Sequence, residues 1–411
     1  MMKRSISLLL TICIIWTLTS CGNGSEPTLI ELIPPIVPPM EIEQQEANSQ
    51  QEEIPEVSDG PFEGKIAVIT NVPVGGLSYY SAFPILAGYG EENVFHKIWP
   101  VTSFDEGIII IEELINNSNV KVIIANPLDY RGIEGFERLR ETREDIFLVF
   151  RVRDIGELSE QLMEIADLIL LVDEIATGPA MVRQAYKMGA ETFVYYSRVW
   201  SQMPIEIERR NLIEQECAEL GIRFIEVTIP EAITWEGEER RRFFRDDVQR
   251  IVQNYGENTA FFSSSMIDFL WSVIEFGGIF PQPNDLLRSP FNAVLDRFDL
   301  FSMSDEDFVE IHLSAEKSIE LTRRFLDEHN MLGRVSNWPI PYEFLFTHAA
   351  TEYAIKRLNG EVPKDGIDVD ALKKIMEDFA GVNVYLAPFT DLETGITHDH
   401  VLMMRMGYFI Y

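Results

Sequence analysis

The residues that could do chemistry in this chain stand one to three positions past short apolar runs. Asn71 follows Lys65–Thr70 (KIAVIT), Asn126 follows Val120–Ala125, and Arg151 and Arg153 follow Ile146–Phe150. Asp173 follows Leu168–Val172, Ser197 and Arg198 follow Thr192–Tyr196, and Ser263, Ser264 and Ser265 follow Thr259–Phe262. If these runs are parallel strands, their carboxyl ends open onto one crevice, which is where open parallel sheets place ligands. Amide, hydroxyl and guanidinium groups gathered there bind rather than react. Arginine grips a carboxylate or phosphate through paired N–H groups, while asparagine and serine add neutral hydrogen bonds. Trp200, Trp235 and Tyr79 could supply flat covering surfaces. Structural roles compete for the same positions: Ser264 or Ser265 can cap the next helix, and the arginines can pair with Asp154 or Asp173.

Signatures of covalent or metal chemistry are missing. The chain has no GxSxG elbow, no HExxH helix, no Walker A loop and no complete GxGxxG, so no catalytic residue, cofactor or metal is assigned. His398, Asp399 and His400 are consecutive, and adjacent residues rarely face one ion; a solvated loop is the expectation there. Arg240, Arg241, Arg242 and Arg245 are interleaved with Glu238, Glu239, Asp246 and Asp247, a helix of mixed-sign pairs rather than a phosphate patch. With 67 acidic and 34 basic residues the formal net charge is -33, which repels polyanions and argues against a nucleic-acid partner.

The elements that must position these residues are legible as alternation. The apolar runs, with Ile222–Val227 among them, are separated by stretches of helical period, the pattern of parallel α/β sheets. Met188-Gly189-Ala190, Leu220-Gly221-Ile222 and Phe276-Gly277-Gly278 each read as a helix ending in a left-handed glycine before the next strand. Pro179 and Pro204 suit helix starts. Ser304–Ala380 reads as mostly helical, including Glu310–Asn330 and Tyr342–Leu358, and the chain closes with strands at Asn383–Ala387 and Val401–Tyr411, the second expected at an edge of the core.

At the other end, Lys3 and Arg4 precede an apolar stretch, Ile6–Leu18, of signal-sequence length. The following Leu18-Thr19-Ser20-Cys21 resembles the lipobox of bacterial lipoproteins, which implies a signal peptide over 1–20, a lipidated Cys21 and an extracytoplasmic, membrane-anchored protein. Residues 21–61 carry Pro34, Pro35, Pro38, Pro39 and an acidic run, the composition of a tether. Cys217 is then the only cysteine left for the body, so no internal disulfide is expected, and its amphipathic helical setting predicts burial.

The segment Leu171–Arg198, LVDEIATGPAMVRQAYKMGAETFVYYSR, resembles the first lobe crossing of type I periplasmic binding proteins. YKMGAETFVYYS, ERRNLIEQECAELGIRF and GRVSNWPIPYEFLFTHAATEYA are similar to a bacterial lipoprotein family known as domain of unknown function 3798, over about Phe62 to Tyr411. The resemblance implies an α/β fold of two Rossmann-like lobes with parallel sheets joined by a hinge. Lobe 1 is expected over 62–173, completed by part of 279–395; lobe 2 over 174–278, completed by part of 396–411. It further implies a solute-binding protein closing over a small polar or anionic ligand for a membrane permease. A surface receptor coupled to a membrane sensor is the alternative, and an extracytoplasmic enzyme a weaker one, because no acid, base and nucleophile trio stands out.

Overall fold

The computed structural model describes residues 62–71, 76–100, 104–128, 130–153, 155–198, 204–230, 238–263, 269–283, 315–391 and 394–411. The expected signal, Cys21 and tether, together with Asp154, Trp200, Trp235, Ser264 and Ser265, lie outside these residues.

Strand β1 (Lys65–Asn71) shows why the first sheet forms where it does. Its apolar residues run without a break, and alternate side chains enter different cores: Ile66 and Val68 one, Ala67 and Ile69 the other. Burial on both faces is what a central parallel strand requires. β2 (Val94–Trp99), β3 (Val120–Asn126), β4 (Phe147–Arg151) and β5 (Leu168–Val172) extend the sheet in parallel. The intervening helices are α1 (Leu77–Tyr80), α2 (Phe83–Tyr89), α3 (Phe104–Asn116), α4 (Ile133–Thr142) and α5 (Glu160–Ile165). Ile111 of α3, Phe136 of α4 and Leu162 of α5 close one face; Ile85 of α2 packs on the other.

After Val172 the chain leaves this sheet. Helix α6 (Glu174–Lys187) and α7 (Pro204–Leu220) cover one face of a second parallel sheet, β7-β6-β8, formed by β6 (Thr192–Arg198), β7 (Arg223–Ile229) and β8 (Thr259–Ser263). The other face takes α8 (Glu238–Tyr255) and α9 (Phe269–Phe276), through Phe244 and Phe269. A single bridge, Ala260 to Ile279, leads from β8 to a small sheet in which β9 (Phe280–Pro281) runs parallel to β10 (Val335–Asn337). Helix α10 (Ala315–Glu328) packs Phe325 into the same core.

The chain then returns to the first lobe. Helices α11 (Tyr342–Leu358) and α12 (Val369–Ala380) cover its open face, and β11 (Val384–Thr390) and β12 (Thr397–Met406) complete a seven-stranded sheet of order β11-β12-β5-β4-β3-β1-β2. The last strand, β13 (Phe409–Ile410), pairs antiparallel with β10 in the second lobe. The described residues therefore pass between lobes at three places: Val172–Glu174, Asn337–Tyr342 and Met406–Phe409.

Several expectations change on this frame. Residues 280–281 and 315–337 join the second core, past the boundary expected at 278; of 396–411, part of which was expected to complete the second lobe, β13 and Tyr411 join that lobe while β12 lies in the first sheet. β12 is also an inner strand, parallel to β5 on one side and antiparallel to β11 on the other, so β11 forms the edge. His398 and His400 belong to β12 rather than a loop: His398 stacks on Phe389, and the His400 Nε2 lies 2.9 Å from the Met163 carbonyl oxygen. Pro179 sits inside α6, because Asp173 caps that helix earlier by accepting the Ala176 N–H. Pro204 does open α7, and Gly189, Gly221 and Gly277 all adopt positive φ as the helix-end pattern requires.

Candidate functional site

The carboxyl ends of β3 and β4 meet the start of α11. Asn126, fully buried at the end of β3, donates from Nδ2 to the Glu343 carbonyl at 3.0 Å and to Thr347 Oγ1 at 2.7 Å. Ser81 Oγ stands 3.2 Å from the same nitrogen, and Thr347 donates back to the Glu343 carbonyl. This knot fastens α11 to the sheet. Asn126 thus spends its amide nitrogen on structure, while its Oδ1 is buried without a partner.

Arg151 ends β4 beside it and is 7% exposed. Its guanidinium lies 5.0 Å from the ring centre of Tyr342, and Nη2 is 3.5 Å from Glu343 Oε1, the outer limit of a hydrogen bond. Nε and Nη1 are buried and unpartnered, as is Asn71 Oδ1 at the end of β1. Behind Asn71, Thr70 Oγ1 is 2.7 Å from His96 Nε2, and burial lowers the His96 pKa to about 4, so this imidazole is neutral at physiological pH. Tyr79 packs 5.5 Å from the His96 ring.

Buried polar atoms also gather in the second lobe and at the second crossing. Ser263 Oγ at the end of β8, both side-chain atoms of Gln282 just past β9, Ser336 Oγ in β10 and Trp338 Nε1 are all buried and unpartnered. The Gln282 backbone N–H donates to the Ser336 carbonyl at 3.1 Å, which holds the two side by side. Trp338 follows two residues later, and Tyr342 and Glu343 come four and five residues after that. The second crossing therefore links the polar edge of one lobe to that of the other. A buried polar group without a hydrogen bond costs about 1–3 kcal/mol, so such a concentration marks places where a further polar partner is accommodated.

Arg153 is half exposed and turns back to Glu157, Nε to Oε1 3.1 Å. Asp173 caps α6 at the first crossing, where burial raises its pKa against the opposing pull of Arg405. Ser197 and Arg198 end β6, in register with Thr228 and Ile229, with Ser197 half buried. Ser264 and Ser265 are outside the described residues. Sequence reasoning missed Gln282, Ser336, Trp338, Tyr342 and Glu343; the signal that could have found the last three was the tight Trp-Pro-Ile-Pro-Tyr-Glu stretch ahead of a long helix. Among the described residues no group of three or more His, Cys, Asp or Glu could hold a metal ion, and no helix is long and apolar enough to cross a membrane.

Two α/β lobes with parallel-dominated sheets, joined by three crossings, define a type I periplasmic-binding-protein-like fold. A Clostridium difficile 630 protein, whose crystal structure bears the name of a transcriptional regulator, superposes with a TM-score of 0.71 at 19% identity, covering 85% of this chain and 99% of its own. A periplasmic ribose ABC transporter protein of Conexibacter woesei DSM 14684 gives a TM-score of 0.46 at 11% identity, over 78% of this chain and 97% of its own. The chain belongs to the family described as protein of unknown function DUF3798, which matches residues 65–319. An uncharacterized protein of Treponema pallidum (strain Nichols) is 24% identical over 212 residues, covering 50% of this chain and 94% of the relative.

Proposed function

We propose that the protein is a lipid-anchored, extracytoplasmic solute-binding protein whose two lobes close over a small polar ligand and present it to a membrane transport system. The observation that carries this reading is the pairing of unpartnered buried polar atoms at two strand-end edges, Asn71, Asn126 and Arg151 on one lobe and Ser263, Gln282 and Ser336 on the other. A ligand that touches both edges favours the closed arrangement by its differential affinity, and a membrane partner can then recognise that state. The lipobox-like Leu18–Cys21 and the tether supply the location.

A thermal-shift screen of small solutes tests the binding step, because a ligand at about a hundredfold its dissociation constant adds about 2.7 kcal/mol. Hits should also shrink the radius of gyration in solution scattering. A screen without hits, or hits that leave the radius unchanged, refutes closure over a solute. Cys21→Ser tests the anchor: the variant should leave the membrane fraction, and unchanged fractionation refutes lipidation at that residue. Genes for a permease and ATPase beside this one favour delivery to a transporter; a sensor kinase there favours a receptor.

A further inference from the structure

The same edge contains a buried guanidinium that the protein leaves short of hydrogen-bond acceptors. Other arginine–carboxylate pairs of low exposure are tight: Arg209 to Glu174 is 3.1 Å, and Arg183 to Glu216 and Arg140 to Asp167 are both 2.6 Å. Arg151 is 7% exposed, yet its approach to Glu343 is 3.5 Å and two of its nitrogens have no acceptor, against one in the more deeply buried Arg209. A charge taken out of water is costly unless it is paired and hydrogen-bonded. The guanidinium is also held in place, by the Tyr342 ring and by its own strand, so it is presented rather than free to turn away. Helix α11 adds its positive end at this corner: it begins at Tyr342, and Pro341 in the cap position offers no side-chain acceptor.

We infer that the ligand is a small carboxylic acid with a hydrogen-bond donor on the carbon next to the carboxylate, its carboxylate seated on Arg151 and that donor on Glu343. The inference rests on the ligand-binding reading and deepens it. The oxyanion supplies the acceptors that the guanidinium lacks. Glu343 decides the charge: a carboxylate at the same corner repels a second negative charge, which disfavours phosphates and tolerates a monoanion. The long Arg151 approach leaves that carboxylate able to accept from a hydroxyl or an ammonium group. Gln282 and Ser336 offer a neutral amide and a hydroxyl, which suit polar, uncharged substituents on the rest of the ligand. A sugar offers the buried guanidinium only neutral hydroxyl acceptors, whereas a carboxylate offers two charged ones in the matching planar geometry.

Four three-carbon probes separate these features: D-glycerate, L-serine, glycerol and glycerol 3-phosphate, titrated calorimetrically into the mature chain at matched ionic strength. D-glycerate or L-serine should bind at least about 100-fold tighter than glycerol and glycerol 3-phosphate. Arg151→Met should weaken the acid by about 100-fold and Arg151→Lys, which keeps the charge but loses the planar fork, by about 10-fold. Glu343→Gln should narrow the gap between the acid and glycerol 3-phosphate. Circular dichroism checks the fold of each variant, and Arg151→Lys carries the test where Arg151→Met does not fold. Neither acid binding at millimolar concentration overturns the inference, as does an acid whose affinity ignores Arg151, or glycerol or the phosphate binding as well as the acids. Closure over some neutral or phosphorylated solute in the wider screen would then leave the solute-binding reading standing, whereas no compaction with any solute ends both.

Discussion

Replacing Gln282 by methionine should make the ligand-free protein more stable and its ligand response weaker. Gln282 is 1% exposed, and neither its Nε2 nor its Oε1 has a partner, while its backbone N–H bond to Ser336 does not depend on the side chain. Each buried unsatisfied group costs about 1–3 kcal/mol, and the amide carries two of them. Methionine has nearly the same length and a flexible thioether, so repacking takes back less than about 1.5 kcal/mol. A net gain of about 2 kcal/mol follows as the central expectation. In a folded unit of about 350 residues, with an unfolding entropy of about 2.1 cal/mol/K per residue, that gain raises Tm by about 3 °C. Urea unfolding of the ligand-free variant should show a higher midpoint at an unchanged slope, and any solute that stabilises the wild type should stabilise the variant less. A ligand-free variant less stable than the wild type would show that the amide is already satisfied, and the case for two edges awaiting a shared polar partner would lose its best residue.

Burial lowers the pKa of His96 and of His348 to about 4, so each is neutral when folded and takes up a proton near 6.5 when unfolded. Their contribution is complete above 6.5 and is lost as pH falls from there toward 4; the His96→Gln, His348→Gln double variant should show a shallower fall of the urea midpoint across that window, and an equal fall refutes neutral burial. Gly178→Ala should destabilise by about 1–3 kcal/mol in urea unfolding despite alanine's better helix propensity, because the added Cβ would sit 2.8 Å from Arg209 Cγ on α7; Gly88→Ala, which meets nothing, should not destabilise. Burial, reinforced by Glu216 and Glu214, pushes the Cys217 thiol up to about 12, so an aromatic disulfide reagent should leave it unmodified in the native protein and label it in urea; rapid native labelling would contradict its buried position.

Most of the legible strands are buried on both faces and show as apolar runs, although β7 and β11 were legible at sheet edges with mixed burial. β2 escaped because it is an edge strand with His96 and Lys97 at its middle, which breaks the run. β12 was legible as a strand but not as an inner one: a strand with two neighbours and a strand with one carry the same Val-Leu-Met-Met pattern. At the site, Arg151 and Arg153 are indistinguishable by the strand-end rule. Burial separates them, and it depends on Tyr342 and Glu343, the latter 192 residues away in sequence. Gln282 and Ser336 lie at or just beyond strands of two and three residues, too short to leave a period.

The location of the crossings bears on how the two edges act together. The first and third run side by side: the Asp173 N–H donates to the Met404 carbonyl at 2.8 Å, and Arg405 Nη1 reaches the Ala176 carbonyl at 3.1 Å. Hydrogen bonds across two adjacent strands restrict independent bending, so these two crossings turn as one. The second crossing differs, because it leads directly from Ser336 through buried Trp338 and Ile340 to Tyr342 and Glu343. Under the proposed solute-binding reading, a solute seated on Arg151 and Glu343 would touch the segment that a rotation of the lobes would deform, so its affinity and the angle between the lobes would be coupled through that segment. Polar atoms left unpaired at both ends of that segment destabilise the unliganded protein, and whatever satisfies them favours the arrangement in which both edges are engaged at once.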